Sequence, residues 1–299
     1  MVGDLARGRA RASRQPPHWR AWAPYLAPAF VVTTVLIGIP LLYTLWLSLH
    51  TWFGSTTEPW TWAGLSNYLA AVSNREFRGA LANTFVFMTV AVVGSVAAGT
   101  VLALVVDGIR RGRGLVVGLL LIPVVSTPVA VSTTWRYLLQ YDGPVNWITS
   151  SIGLGQHAWL AEQLVLASLV VVDITRWTSF VALIVLAGLS TLPTEPLEAA
   201  QVDGASSLQR IRYVVLPLLR PFIGIAALFR IIDAVKTFDE IQVISAGGPA
   251  GASQTLYVLA YKNAFSFLSF GTAAAICTLM FAIALVGSLL IGQYRGTAH

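Results

Sequence analysis

The 299-residue chain has few of the cysteines, histidines and lysines that enzymes use for chemistry. It has one cysteine, Cys277, so no internal disulfide forms, and one thiol is not a metal site. Set in an apolar run, Cys277 reads as a small packing residue. The four histidines, His18, His50, His157 and His299, are scattered, with none paired at ligand spacing. No Gly-x-Ser-x-Gly elbow, His-Glu-x-x-His pair or carboxylate dyad on a soluble face is found, so nothing suggests an enzyme. Lysine is almost absent. Lys236 and Lys262 are the only two, and neither follows a glycine in a phosphate-loop run, so the chain does not bind ATP in that manner by itself. Charge is scarce too, at 11% against about 25% in a soluble domain.

Apolar sequence fills the space. The chain is 56% hydrophobic, in runs long enough to cross a hydrocarbon core of about 30 Å. Six spans are expected, at 24–49, 80–107, 115–139, 163–190, 222–244 and 266–292. None alternates as a barrel strand does, so the fold class is an all-α integral membrane six-helix bundle. Arginine and lysine set the orientation. Arg7, Arg9, Arg11, Arg14, Arg20, Arg110, Arg111, Arg113, Arg210, Arg212, Arg220 and Arg295 fall on one side, against Arg75, Arg78, Arg136 and Lys262 on the other. The richer side is cytoplasmic, placing both termini inside a prokaryotic plasma membrane. Residues 1–23 form a basic cytoplasmic tail, 24–292 the membrane domain and 293–299 a C-terminal cytoplasmic tail. The net charge of +6 is then a topology signal and a lipid-headgroup contact, not a nucleic-acid footprint. The first span is too long for a secretory signal and is not followed by a small-residue cleavage site, so it is expected to be retained. No internal repeat is visible. Nine of the ten tryptophans (Trp19, Trp22, Trp46, Trp52, Trp60, Trp62, Trp135, Trp147 and Trp159) sit near span ends or in loops, as an interfacial belt does. Trp177 is the exception, mid-span, and reads either as packing or as a stacking face for a sugar ring.

One polar, helix-forming stretch interrupts the apolar pattern at about 191–221. It carries Glu198-Ala199-Ala200, three residues, Gly204, nine residues, Val214, one residue, then Leu216-Pro217. Leu192-Pro-Thr-Glu-Pro-Leu197 ends the fourth span and starts a short helix, prolines being tolerated in a first turn. Glu198, Ala199 and Ala200 offer a small-residue face with one carboxylate. Gly204 allows a sharp break, and Leu216-Pro217 with Pro221 are expected to redirect the chain into the fifth span. A plain interfacial amphipathic helix is the bland alternative. The spacing resembles the cytoplasmic coupling loop of binding-protein-dependent ABC importer permeases, with Val214 where isoleucine is usual. On that resemblance Glu198, Ala199, Ala200, Asp203, Gly204, Leu216 and Pro217 are the ATPase-coupling residues.

Further segments resemble the sugar branch, the maltose, trehalose and glycerol-3-phosphate type: Gly64-Leu65-Ser66-Asn67-Tyr68, Ala82-Asn83-Thr84, Ala187-Gly188-Leu189, Phe229-Arg230 through Phe238-Asp239, and Gly247-Gly248-Pro249. The loop between spans three and four, about 23 residues, lacks the large extracytoplasmic insertion of some maltose-type subunits. The resemblance implies a subunit that pairs with a second, similar permease, two ATPase subunits and an extracytoplasmic solute-binding protein or lipoprotein. The complex would import a disaccharide or oligosaccharide by alternating access. ATP and magnesium would sit on the ATPases, with no cofactor on this chain. The alternatives are the same architecture importing a phosphodiester or polyamine, and an ion-coupled secondary transporter relaying through Arg230 and Asp233. The latter leaves the coupling loop unexplained.

The fifth span carries Arg230, Asp233, Lys236, Asp239 and Glu240 within eleven residues. A lone charge at the bilayer centre costs about 2.5–3.5 kcal/mol on insertion scales, so pairing is expected, and the spacings 230/233, 233/236 and 236/239 suit one helical turn. Asp173 and Arg176 repeat the arrangement in span four. Asp173, Lys236 and Asp239 are thus candidate members of intramembrane ion pairs. In the sugar permeases that this chain resembles, the middles of these helices line the path. By position Arg176, Trp177, Phe180, Arg230, Asp233, Ala234 and Thr237 are the substrate-path candidates.

Overall fold

The computed structural model describes residues 19–52, 54, 60–109 and 111–296, with side chains from residue 24 to 286. Arg7, Arg9, Arg11, Arg14 and Arg110 lie outside the described residues, and Arg20 is described in its backbone only. The chain forms two compact units, 1–46 and 47–299.

In the first unit α1 (Trp19–Thr33) leads through a π turn at Thr34–Gly38 into α2 (Ile39–Ser48). Pro40 is the reason the turn widens. It has no N–H, and its ring would strike the carbonyl four residues back, so the Ile39 N–H reaches five residues back to Thr34 O. Pro24–Ser48 is apolar and long enough to span a bilayer.

The second unit starts with a two-stranded ribbon, β1 (His50–Thr51) and β2 (Thr61–Trp62). Helices α3 (Ser66–Ser73), α4 (Arg75–Asp107), α5 (Arg113–Val125), α6 (Pro128–Leu138), α7 (Pro144–Ser151) and α8 (Val165–Leu189) come next in the chain. Asn74 caps α4, its Oδ1 accepting from Glu76 N at 2.9 Å. The core is the close approach of α4 and α8. A Cβ on Gly99 would lie 2.5 Å from Val181 Cβ, and Gly94 faces Ile174 as closely. Both glycines meet a residue about eighty positions on, so the two helices run parallel. Helices in lipid gain from such small residues because backbones can approach and pack directly. Gly99→Leu is expected to force α4 and α8 apart and destabilise the fold by at least about 1–3 kcal/mol. Gly114→Ala, in a helix with nothing within 4 Å of the added carbon, should be silent. Thermal melting of the detergent-purified protein compares the two.

Two expected spans change form. The third, 115–139, is not one straight helix: α5 and α6 meet at 94°. Ser126 and Thr127 are extended, with ψ 139 and 138; Thr127 is so because a residue preceding proline avoids the helical region, and Pro128 opens α6. The fifth expected span, 222–244, starts earlier and stops sooner. A helix covers Ser207–Val235, made of α10 (Ser207–Arg210), a π turn at Ile211–Val215 and α11 (Leu216–Val235). Leu216-Pro217 and Pro221 therefore lie inside it rather than redirecting the chain. Leu216 N–H bonds Ile211 O, five back, so the turn before Pro217 opens as it does before Pro40. The helix ends at Val235, and α12 (Asp239–Ile244), α13 (Leu256–Tyr261) and α14 (Phe270–Gly296) complete the unit. Among the described residues, four helices are apolar and long enough to span. The bent α5–α6 pair makes a fifth if it is counted as one, and Phe270–Val286 is a shorter apolar stretch.

Several of the short segments singled out in the sequence act as staples. Asn67 donates to Ser48 O and His50 O, both at 2.9 Å. Asn83 donates to Gly251 O and Gln254 O at 3.1 Å, and Thr84 Oγ1 accepts from Leu256 N at 3.0 Å. Each polar side chain satisfies backbone groups of a loop that has no helical partner for them.

Candidate functional site

Arg230 is fully buried on α11. Its Nη2 donates to Asp173 Oδ1 on α8, Nη1 to Asp233 Oδ2 at 3.3 Å, and Nε to Ser95 Oγ on α4 at 3.1 Å. One guanidinium thus ties three helices, which is how a cation survives without water. Arg176, also on α8, donates to Glu240 Oε1 on α12 at 2.6 Å. Both cations lie close to the Trp177 ring, whose centroid is 4.6 Å from Arg230 Cζ and 5.3 Å from Arg176 Cζ. The ring packs edge-on against Phe180, which in turn meets Phe229.

The expected ladder along the fifth span does not form beyond its first rung. Asp233 sits one turn from Arg230, but α11 ends at Val235, so Lys236 and Asp239 leave the helical register. Among the described residues neither makes an ion pair, and both are exposed. Nor do Asp173 and Arg176 pair with each other; each reaches across to another helix.

Beside the cluster opens a cavity of about 310 Å³. Arg176, Asp233 and Thr237, expected along the path, line it together with Lys236 and Asp239. Pro128, Phe238, Glu240 and Tyr257 complete the lining, none of them a path candidate from sequence. Arg230 and Ala234 are buried behind this wall. Phe238, Glu240 and Tyr257 escape a sequence reading because the break at 236–238 contains no glycine or proline to reveal it. Phe238 turns inward onto Tyr257 and Tyr261, with ring centroids 5.2 and 4.9 Å away.

The polar segment after α8 forms a second feature. Helix α9 (Glu195–Val202) has Pro196 in its first turn. It is stopped by two bonds, Ala205 N to Ala200 O and Gly204 N to Gln201 O, with Gly204 at φ +77. This is the left-handed C-terminal cap that glycine suits best. Ser206 and Gln209 then form a capping box that starts the next helix. Glu198, Ala199, Asp203 and Gly204 are exposed and Ala200 half-buried, while Val202 is 88% exposed.

Residues 21–294 match the binding-protein-dependent transport system inner membrane component family. The trehalose/maltose transport system permease protein MalF of Thermococcus litoralis is 34% identical over 275 residues, covering 90% of this chain and 92% of that protein. The trehalose transport system permease protein SugA of Mycobacterium tuberculosis is 33% identical, covering 91% and 88%. The fold resembles a solved bacterial ABC transporter involved in import of the acidic polysaccharide alginate, with a TM-score of 0.79 at 21% identity over 94% of this chain and 96% of that one. With a family match spanning nearly the whole chain and several long apolar helices to cross the membrane, this protein belongs to the binding-protein-dependent transport system inner membrane components, as a multi-pass permease of an ABC importer.

Proposed function

We propose that this permease imports a carbohydrate, a disaccharide or short oligosaccharide, by ATP-driven alternating access. It would do so as one of two paired permeases served by two ATPase subunits and an extracytoplasmic solute-binding protein. The observation that carries the ATP-driven part is the exposed α9 with its glycine stop. A short helix that projects small and apolar residues, Ala199 and Val202, from a polar segment is a surface made for another protein. Glu198, whose carboxylate makes no ion pair among the described residues, is available to a basic group there. Relatives named for trehalose, maltose and lactose transport support the solute class.

In this reading the chain has six spans, the α5–α6 pair and α14 included, and the arginine-rich ends lie in the cytoplasm. A loaded binding protein docks on the far side. ATPase closure moves α9, and because only residues 203–206 separate it from the long helix Ser207–Val235, the motion reaches the charged cluster beside the cavity. ATP and magnesium stay on the ATPases. Arg176, Asp233 and Thr237 then face the solute, while Arg230, Trp177, Phe180 and Ala234 hold the wall. Co-purification with the ATPases and partner permease, followed by ATPase assay with the binding protein and a panel of sugars, tests it. Sugar-stimulated hydrolysis and uptake are expected. An assembled complex stimulated only by non-carbohydrates would refute the solute class.

A further inference from the structure

The cavity beside α12 carries information about the charge of its occupant. Arg176, Arg230 and Lys236 stand against Asp173, Asp233, Asp239 and Glu240, so the cluster holds four acidic side chains and three basic ones. Both arginines are already engaged by carboxylates. Among the described residues lining the cavity, only Lys236 is a cation without a carboxylate partner, and it is exposed. An anionic group entering here would lose water without meeting a free buried cation, and burial of an unpaired charge is costly. A hydroxyl donor meets the opposite situation. Glu240 is 1% exposed and lines the cavity. Arg176 holds its Oε1, while its Oε2 is buried with no hydrogen-bond partner. Such an orphaned acceptor costs stability until something donates to it. Phe238 and Tyr257 supply the apolar wall that the C–H face of a sugar ring needs.

Resting on the carbohydrate reading above, we infer that the path through this subunit selects uncharged polyhydroxyl solutes over anionic sugars, and that Glu240 Oε2 accepts a hydrogen bond from a solute hydroxyl. Arg176 is then a positioning residue, fixing the Glu240 carboxylate by its other oxygen.

The test is equilibrium binding of radiolabelled trehalose, maltose and a glucuronate-containing disaccharide to the purified, assembled transporter without binding protein, with uptake measured in parallel. The neutral sugars are expected to bind at least about tenfold more tightly than the glucuronate. Glu240→Gln keeps an oxygen for Arg176 but offers the cavity an amide donor, and should weaken neutral-sugar binding about tenfold, as loss of a hydrogen bond to a charged group does. Asp239→Lys alters an exposed residue and turns the excess of acidic side chains into an excess of basic ones, so the gap between neutral and anionic solutes should narrow. Equal or tighter glucuronate binding by the unaltered transporter overturns the inference. So does normal neutral-sugar binding by assembled Glu240→Gln. Should that variant fail to assemble, an unchanged gap in Asp239→Lys overturns the charge selection by itself. A complex that takes up no carbohydrate refutes the underlying reading instead, whereas one that takes up neutral and anionic sugars alike leaves that reading intact and refutes only the selectivity.

Discussion

Arg230→Met is expected to cost about 3–5 kcal/mol, because it strands the carboxylate of Asp173 in the interior without its partner. Asp173 is fully buried and already has one oxygen, Oδ2, with no hydrogen-bond partner. Removing the arginine leaves the other oxygen equally unsatisfied. Asp173→Leu should be as damaging for the reverse reason, leaving the guanidinium with the partly exposed Asp233 and Ser95. The double variant Asp173→Leu/Arg230→Met removes both charges and should recover much of the loss, since apolar side chains of similar volume often replace a buried ion pair at little cost. Thermal melting and assembly yield of the purified complex, scored as a double-mutant cycle, check this. Additive losses would mean that the two residues do not stabilise each other. Asp233 is a different case: its side chain is 29% exposed and it faces the cavity. Asp233→Asn should therefore disturb uptake more than stability.

On α9, which precedes the long helix, Glu198→Arg is expected to abolish solute-stimulated ATP hydrolysis while leaving membrane insertion and folding unchanged. Glu198 is exposed and makes no ion pair among the described residues, so charge reversal costs the isolated subunit little. Facing a basic partner surface it would place like charges together, a penalty of several kcal/mol, which exceeds a hundredfold at about 1.4 kcal/mol per decade. Gly204→Val should have a similar phenotype through conformation. No atom lies within 4 Å of an added Cβ, so space is not the obstacle; φ +77 is. A β-branched residue is a marked outlier there, and the helix stop at 204–205 would be lost. Gly204→Asn, which tolerates the left-handed region better, should retain more coupling than the valine. Wild-type ATPase stimulation in both Glu198→Arg and Gly204→Val would remove the coupling role from α9.

Whatever depends on local composition is legible in the sequence. Apolar runs, the basic flanks and the glycine at 204 each act within a few residues, so they announce membrane helices and a helix stop without reference to the rest of the chain. The two proline-linked departures are half legible. Pro128 marks where the third run bends, since the proline forces the residue before it out of the helix, but the 94° angle depends on where α5 and α6 each find something to pack on. Pro217 reads as a corner and is instead internal, because a π turn gives its ring room.

Most partners of the charged residues lie beyond sequence reading. Helical spacing nominates 230/233, 233/236 and 236/239, yet only the first survives. The others fail because α11 ends at Val235, with no glycine or proline there to signal it. Phe238 leaves the helical path to pack on Tyr257 and Tyr261, residues about twenty positions away, and Glu240 is thereby brought to Arg176, 64 residues upstream. By itself the sequence determined that this chain is a membrane-embedded bundle of helices with a polar, glycine-stopped segment between two of them. The tertiary structure alone decided that Arg230 also meets Asp173 and that Arg176 meets Glu240. In a low-dielectric interior every ion must find a partner in three dimensions, and the partner is chosen by which helices pack closely enough to present it.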